Sequence, residues 1–260
     1  MPTVAVLNQK GGVGKTTVVL GLAAAAQRRG DRTLVVDLDP QGSAGWALGV
    51  EADDDHLAVG DVLVTGDPRL ARAATVRSGW GSGVDVLPAS RNLIDREADV
   101  ATSAEPRRLR ASLAELVADY RTVLIDCAPS LGPTTRSGLV AADGVLLVAE
   151  LSALSLRGAD AVVDTIEEVG EQLHPGLTIY GTVVNRAPAV SAEADRQLEA
   201  LQQHLGRGTV WRPFVPQRTA LNEAVGRRCP VQDLGRKADP VVAVFDQLYD
   251  RLLRTADDPA

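Results

Sequence analysis

Short apolar runs alternate along the chain with longer stretches whose apolar residues recur at helical spacing. The runs are almost continuously apolar, which is typical of parallel strands that are covered on both faces. They predict strands over Thr3–Leu7, Thr33–Asp37, Val84–Leu87, Thr122–Asp126, 145–149 and Thr178–Val184. The longer stretches predict helices over Lys15–Arg29, 57–74, 107–120, 134–141, 156–173, Ala192–Leu205 and 240–253. This alternation predicts an α/β fold with a doubly wound, mostly parallel sheet and helices on both faces.

Polar and glycine-rich segments follow four of the predicted strands, at residues 8–15, 37–42, 126–132 and 185–186. Right-handed crossovers place the carboxyl ends of parallel strands, with their loops, on one edge of the sheet. We therefore expect these segments to converge in space and to form the functional site.

The segment that follows the first predicted strand reads NQKGGVGKTT. Its glycines allow backbone N–H groups to turn toward an anion, and the helix that begins near Lys15 adds its positive end. Lys15 is suited to neutralising phosphate oxygens, and the Thr16 hydroxyl is suited to Mg²⁺. The predicted phosphate-binding residues are Gly11, Gly12, Val13, Gly14, Lys15, Thr16 and Thr17. An ordinary glycine-rich turn is the alternative, and the lysine and threonines that complete the motif disfavour it.

The common phosphate loop, G-x-x-x-x-G-K-[ST], has a glycine where this chain has Gln9, and beside it stands an additional Lys10. Only three lysines occur among 27 basic residues, namely Lys10, Lys15 and Lys237. Two of the three therefore lie in one loop. Because lysine and arginine are not equivalent at a crowded phosphate site, this placement indicates a role for Lys10 as well as for Lys15.

Composition sets limits on the possible functions. The chain has 260 residues, 45% of them hydrophobic, which predicts one domain over 1–260. A net charge of −7 excludes a uniformly basic nucleic-acid binder. Cys127 and Cys229 are too far apart in sequence to indicate a disulfide framework, which favours a reduced, intracellular setting. We expect no signal peptide, no bilayer-spanning helix and no N-terminal helix-turn-helix extension before the phosphate loop.

Carboxylates end the second and the fourth predicted strands. Asp37 and Asp39 stand in the string DLDPQG, and Asp126 ends the apolar run of RTVLID. An aspartate that closes a buried strand beside a phosphate loop can hold Mg²⁺ through water. Cys127 follows Asp126, and we interpret it as a packing residue rather than a nucleophile, since no histidine is near it in sequence.

Together these motifs resemble the deviant Walker A ATPases of the ParA/MinD superfamily, which carry K-G-G-x-G-K-[ST], D-x-D-P-Q-G and D-C-P-P-S-L. This chain departs from the last motif at Ala128, where a proline usually stands. The resemblance implies ATP and Mg²⁺ as cofactors and a homodimer that sandwiches two ATP molecules. It makes Lys10 the signature lysine that reaches the partner's ATP and makes Asp39 the residue that orients the attacking water. The implied catalytic set is Lys10, Lys15 and Asp39, and the implied metal set is Thr16, Asp37 and Asp126.

The C-terminal third extends the resemblance over roughly the whole chain. By resemblance, Asn185 contacts the nucleotide base and Arg186 flanks the base or the dimer interface; the alternative is an asparagine that starts a loop, next to a surface arginine. Pro216 keeps the frame of the family's segment after the last strand and joins the predicted nucleotide-binding set. Gln217 and Ala220 stand where chromosomal ParA proteins carry two arginines.

Residues 201–240 carry seven basic and three acidic residues inside an acidic chain. This excess is sufficient for sequence-independent contacts with DNA phosphates, although scattered solubilising arginines explain it equally well. The resemblance favours ATP-dependent, nonspecific DNA binding. The predicted contact residues are Arg207, Arg218, Arg227, Arg228, Arg236 and Lys237.

The resemblance implies an ATP-hydrolysing dimerisation switch that partitions a chromosome or plasmid with a ParB-like partner, with slow hydrolysis that this partner stimulates. The expected localisation is cytoplasmic and nucleoid-associated. An orphan ParA-like ATPase that positions a protein cargo would share every motif. A MinD-like membrane-associated regulator is disfavoured, because its usual D-x-G-L-R-N is replaced by D-P-Q-G. The acidic end of the last helix also lacks the basic face that favours anionic membranes, so we expect no stable membrane association.

Overall fold

The computed structural model describes residues 1–51, 56–90, 93, 106–152, 159–188 and 191–258. Within these ranges seven strands form one sheet, in the order β3-β4-β2-β5-β1-β6-β7. The strand β3 pairs antiparallel with β4, and the other neighbours pair parallel. The strands are β1 (Thr3–Leu7), β2 (Thr33–Asp37), β3 (Val76–Arg77), β4 (Val84–Leu87), β5 (Thr122–Asp126), β6 (Gly144–Ala149) and β7 (Thr178–Val184).

Helices connect these strands and cover both faces of the sheet. They are α1 (Lys15–Arg29), α2 (Ser43–Ala47), α3 (Val59–Thr65), α4 (Pro68–Ala74), α5 (Arg108–Leu113), α6 (Pro133–Ala141), α7 (Ala159–Gln172), α8 (Ala192–Leu205), α9 (Thr219–Gly226) and α10 (Asp239–Asp257). Short 3₁₀ segments span Val117–Asp119 and Val231–Ala238. No helix of the described residues has both the length and the apolar character needed to cross a bilayer.

The predicted doubly wound fold is confirmed, and five of the predicted strands have the predicted bounds. The prediction of one helix over 57–74 is wrong. Gly66 ends α3 in the left-handed conformation (φ 69°), and the Asp67 carboxylate then caps α4 by accepting from Arg69 N at 2.8 Å. The predicted helix over 107–120 is also wrong beyond Leu113, where α5 ends. The start of the predicted helix over 156–173 lies outside the described residues.

Alternate residues of β1 belong to two separate cores. Val4 and Val6 pack in the core that contains α1, α9 and α10, whereas Ala5 and Leu7 pack in the core that contains α5, α6 and α7. The approach of α1 to α10 is very close, because a Cβ added at Gly21 would lie 2.2 Å from the ring of Phe245. This alternation explains why the strands read as continuously apolar.

The register of the central strands positions the site. Val6 of β1 and Asp37 of β2 both pair with Asp126 of β5. The carboxyl ends of the three strands therefore lie side by side, with Asp126 in the middle. The loop after β1 and the loop after β2 must leave the sheet at the same edge.

Candidate functional site

The glycine loop forms an open cradle at this edge. Gly12 and Gly14 adopt left-handed conformations (φ 82° and 89°), and Gly14 is the N-cap of α1. Added Cβ atoms at Gly11 and Gly12 would meet no atom within 4 Å, so the space above them is open. Val13 is fully buried and anchors the middle of the loop. Backbone N–H groups at a helix N-terminus beside such a space suit an anion.

Beneath the cradle lie a buried cation and a buried carboxylate. Lys15 is only 6% exposed; burial lowers the pKa of its ammonium group, and the negative charges of Asp126 and Asp39 oppose that shift. The Thr16 hydroxyl donates to Asp126 Oδ2 at 2.7 Å. Asp126 Oδ1 is buried and has no hydrogen-bond partner among the described residues. Burial, together with the charge of Asp37, raises the pKa of Asp126 above its ordinary value.

Asp37 organises the loop that follows β2. Its Oδ2 accepts from Gly45 N at 2.8 Å and its Oδ1 accepts from Asp39 N at 3.1 Å. Burial raises the pKa of Asp37 to about 7. Asp39 is partly exposed, and its Oδ1 accepts from Gln41 N at 3.0 Å. Both carboxylate oxygens of Asp37 therefore accept hydrogen bonds from the loop, whereas Asp39 faces the open space. A metal contact of Asp37 stays a prediction.

A cavity of about 580 Å³ lies over the cradle, which is within the usual range for a small-molecule site. Among the predicted residues, it is lined by Gly11, Gly12, Gly14, Lys15, Thr16, Thr17, Asp39 and Arg186. The sequence-based prediction missed Gln41, Ser43 and Trp46, which also line it. Trp46 is 41% exposed and lies on the short helix α2, which was not predicted. The signal available in the sequence was a tryptophan that follows D-P-Q-G closely.

Asn185 and Pro216 do not line the cavity. Asn185 is 1% exposed and its Nδ2 donates to Val13 O at 2.7 Å, while an added Cβ at Gly14 would lie 2.1 Å from the same nitrogen. The side chain therefore supports the glycine loop from behind, a contact that the sequence did not predict. Pro216 forms an isolated β-bridge with Ala187, which is the residue that follows Arg186. The base contact of Asn185 and the nucleotide contact of Pro216 stay predictions.

Lys10 contacts a carboxylate of its own chain. Its Nζ lies 3.5 Å from Glu150 Oε2, and Arg186 Nη1 donates to Glu150 Oε1 at 3.1 Å. Glu150 follows β6 directly, and the sequence-based prediction missed it although it stands at a strand end like the other site residues. In this arrangement Lys10 lies beside the cavity without lining it.

The cations predicted to contact DNA fall into two groups. Glu223 pairs with both Arg227 at 2.7 Å and Lys237 at 2.6 Å, and Arg228 pairs with Glu51 at 2.8 Å. In the described part of the chain no ion pair reaches the exposed residues Arg207, Arg218 and Arg236. The free positive charge of this region is therefore smaller than the residue count indicates.

The residues present fit a nucleoside triphosphate with Mg²⁺. Asp126 Oδ1, to which no described residue donates a hydrogen bond, and the nearby Thr16 hydroxyl are oxygen ligands suited to a hard cation. Among the described residues no group of three or more His, Cys, Asp or Glu could hold a metal alone. A cation at Thr16 would therefore take further ligands from phosphate oxygens and water, as Mg²⁺ does at nucleotide sites. The open glycine cradle and Lys15 supply the donors for those phosphates.

The chain is similar to known proteins over most of its length. Residues 1–179 match a family model described as an AAA domain. The sporulation initiation inhibitor protein Soj of Bacillus subtilis is 32% identical over 231 residues, which cover 88% of this chain and 89% of that protein. The chromosome-partitioning ATPase Soj of Thermus thermophilus is 36% identical over 221 residues, which cover 85% of this chain and 83% of that protein.

A solved structure is similar over the full chain. Cobyrinic acid a,c-diamide synthase from Mycobacterium smegmatis, with bound ADP and magnesium, is 30% identical and superposes with a TM-score of 0.83. The match covers 100% of this chain and 97% of that one. Its ADP and magnesium agree with the chemistry of the cradle described above.

Proposed function

This chain belongs to the ParA/MinD superfamily of deviant Walker A ATPases, and from that premise we propose that it is a dimerisation switch driven by ATP. It is an ATPase of the ParA type whose cofactors are ATP and Mg²⁺. The observation that carries the proposal is the arrangement of residues at the carboxyl ends of the central strands. An open glycine cradle lies above the buried Lys15 and above the Thr16–Asp126 pair, in which Asp126 Oδ1 has no hydrogen-bond partner among the described residues.

The residues at the carboxyl ends of these strands have separate roles in phosphoryl transfer. Lys15 and the loop N–H groups bind phosphate oxygens, and Thr16 and Asp126 hold the cation. When bound, Mg²⁺ would neutralise part of the negative charge of the phosphates. The Asp39 carboxylate, which faces the cavity, orients a water molecule for in-line attack. Lys10 stabilises the developing charge on the ATP of the partner subunit, which couples hydrolysis to dimerisation.

The proposed cargo is a chromosome or plasmid, engaged through ATP-dependent, nonspecific DNA binding and a ParB-like partner that stimulates slow hydrolysis. Support comes from the relatives named for chromosome partitioning and from the surface arginines that no ion pair reaches in the described part of the chain. An ATPase that positions a protein assembly is the second candidate, since the same strand edge would serve it. A trapped ATP-bound dimer that retains a protein partner but no DNA would favour that candidate.

The name of the M. smegmatis diamide synthase indicates amide formation. An amidating enzyme that takes ammonia from glutamine through a cysteine nucleophile needs a reactive thiolate. Burial raises the pKa of the Cys127 thiol, and burial together with the charge of Asp233 raises that of Cys229. Neither thiol is therefore prepared as a nucleophile, and ATP hydrolysis remains the better-supported reaction.

The test is the Asp39→Ala variant. It should bind ATP·Mg²⁺ with near wild-type affinity, lose turnover and accumulate as dimer, because the substitution removes the group that orients water and leaves the phosphate cradle intact. Nucleotide titration, phosphate release and light scattering measure the three effects. Asp195→Ala, at an exposed position of α8, is the matched control. Wild-type phosphate release by Asp39→Ala would overturn the assignment.

A further inference from the structure

A groove along the last turns of α10 is lined by arginines from two separate segments. Arg212 comes from the stretch before α9, and Arg251 and Arg254 come from α10. The groove has a volume of about 630 Å³. Its other lining residues are Gln247, Asp250, Thr255 and Asp258. We call this surface the arginine groove.

Aromatic rings support two of the three guanidinium groups. Arg251 Cζ lies 5.2 Å from the centroid of the Trp211 ring, and Arg212 Cζ lies 4.5 Å from that of Phe214. Trp211 is 1% exposed and donates its indole N–H to Tyr180 O at 3.2 Å. Arginines held over fixed rings lose less conformational freedom when they bind an anion.

The carboxylates of α10 are largely occupied elsewhere. Three of them pair with arginines of other elements, namely Asp246 with Arg28 at 3.2 Å, Asp250 with Arg29, and Asp257 with Arg121 at 3.9 Å. Within the described ranges no ion pair reaches Arg212, Arg251 or Arg254. Burial, with the nearby charge of Arg254 as a further cause, lowers the pKa of Arg251. Even with Asp258 at its end, the groove keeps an excess of positive charge.

The chemistry of the groove favours a nucleic-acid backbone over a bilayer. The large hydrophobic side chains that are exposed in the described part of the chain are Met1, Trp46, Leu57 and Val76, and none of them lines the groove. Binding to a membrane surface usually combines cations with inserted apolar side chains. Nonspecific binding to DNA requires only cations that reach phosphates.

We propose that the arginine groove binds phosphate groups of the DNA backbone and supplies the main nonspecific DNA contact of this protein. The proposal rests on the ATP-dependent DNA binding proposed above and names its surface. That surface differs from the C-terminal segment predicted from sequence, where Arg227, Arg228 and Lys237 are already paired with glutamates. An ATP-bound dimer carries two grooves, which doubles the number of phosphate contacts.

The test measures retention of a random-sequence duplex by the full chain with ATP·Mg²⁺ over a salt series. The test variant is Arg251→Gln with Arg254→Gln. The matched control is Arg72→Gln with Arg196→Gln, which changes the net charge equally at exposed arginines that pair with Asp119 and Glu193. A third variant, Arg218→Gln with Arg236→Gln, tests the surface predicted from sequence. Replacement of Arg251 removes its contact with the Trp211 ring and could impair folding of the double variant. The single variant Arg254→Gln is therefore measured as well, because Arg254 is exposed and its replacement leaves that contact intact.

The groove variant should bind DNA more weakly, and the slope of log affinity against log salt should decrease by about one for each phosphate that the variant no longer neutralises. ATP binding should stay unchanged, and the control pair should match wild type. Wild-type DNA retention by the groove variant would overturn the groove while leaving the proposed function intact. An equal loss of DNA retention in the control pair would show that only the net charge matters, and it would also overturn the proposal for the groove. Absence of DNA retention by the wild-type protein would overturn the proposed DNA binding itself, and the groove with it.

Discussion

The phosphate site at the carboxyl ends of the central strands and the arginine-rich C-terminal third are both charged, but they are built in different ways. At the edge, Lys15, Asp37 and Asp126 are buried, and each is positioned by a strand end or a helix start. In the C-terminal third the arginines lie on the surface, and the carboxylate that each one meets decides whether it is available. Glu223 occupies Arg227, whereas no carboxylate of the described residues pairs with Arg254.

This difference determines how each region should respond to substitution. A buried charge acts through a fixed geometry, so one substitution removes the function. An exposed charge acts as one of several weak, salt-screened contacts, so single substitutions have graded effects. The expected effects below decrease in that order.

Lys15→Ala should produce the largest effect. The substitution removes a buried cation from the phosphate cradle, and truncation of one partner in a buried charge pair costs about 2–5 kcal/mol, which weakens ATP binding by roughly 30-fold or more. Titration with a fluorescent ATP analogue measures the loss. Lys237→Ala, which removes an exposed lysine of a surface ion pair, is the matched control. Undiminished ATP affinity in Lys15→Ala would contradict the assignment of the site.

Lys10→Ala should produce an intermediate and selective effect. Because Lys10 lies beside the cavity without lining it, ATP binding by the monomer should persist. Dimer formation and phosphate release should fall, since the cation offered to the partner's ATP is absent. Sedimentation with ATP and a phosphate-release assay measure the two. Loss of monomer ATP affinity equal to that of Lys15→Ala would place Lys10 in its own subunit's site instead.

Glu150→Gln should have a smaller effect in the opposite direction. The substitution frees Lys10 and Arg186 from their ion pairs, each of which is partly exposed. Exposed pairs of this kind contribute about 0.2–1 kcal/mol, so the ATP-dependent dimer should form at a protein concentration that is lower by no more than a few-fold. Glu193→Gln removes an ion pair on α8 and is the control. A weaker dimer in Glu150→Gln would show that the carboxylate positions Lys10 productively.

Glu223→Gln should have the smallest effect. It frees Arg227 and Lys237, which would add two surface cations and strengthen DNA retention slightly at low salt. The gain should disappear at physiological salt because of screening. An increase larger than the loss in the groove variant would show that the C-terminal segment predicted from sequence is the dominant DNA surface.

Much of the strand edge could be predicted because its parts are contiguous in sequence. The glycines, Lys15 and Thr16 stand in one short loop, and Asp126 closes an apolar run, so local pattern and chemistry coincide. Glu150 was missed because it belongs to no motif and acquires its role only when β6 pairs with β1. The base contact of Asn185 stays a prediction, but the hydrogen bond from its amide to Val13 O could not be predicted, because only the approach of β7 to the loop reveals it.

The sequence by itself determined the doubly wound fold, the phosphate loop and the two aspartate-bearing strand ends. These depend on periodicity and on neighbours along the chain. The tertiary structure alone decided which charges remain available. The carboxylates of α10 make that helix look acidic in sequence, but α1 and Arg121 provide their partners and leave Arg251 and Arg254 without a carboxylate partner in the described part of the chain. The ion pairs of α10 join residues that are distant in the chain, so a count of charges within that segment cannot detect them.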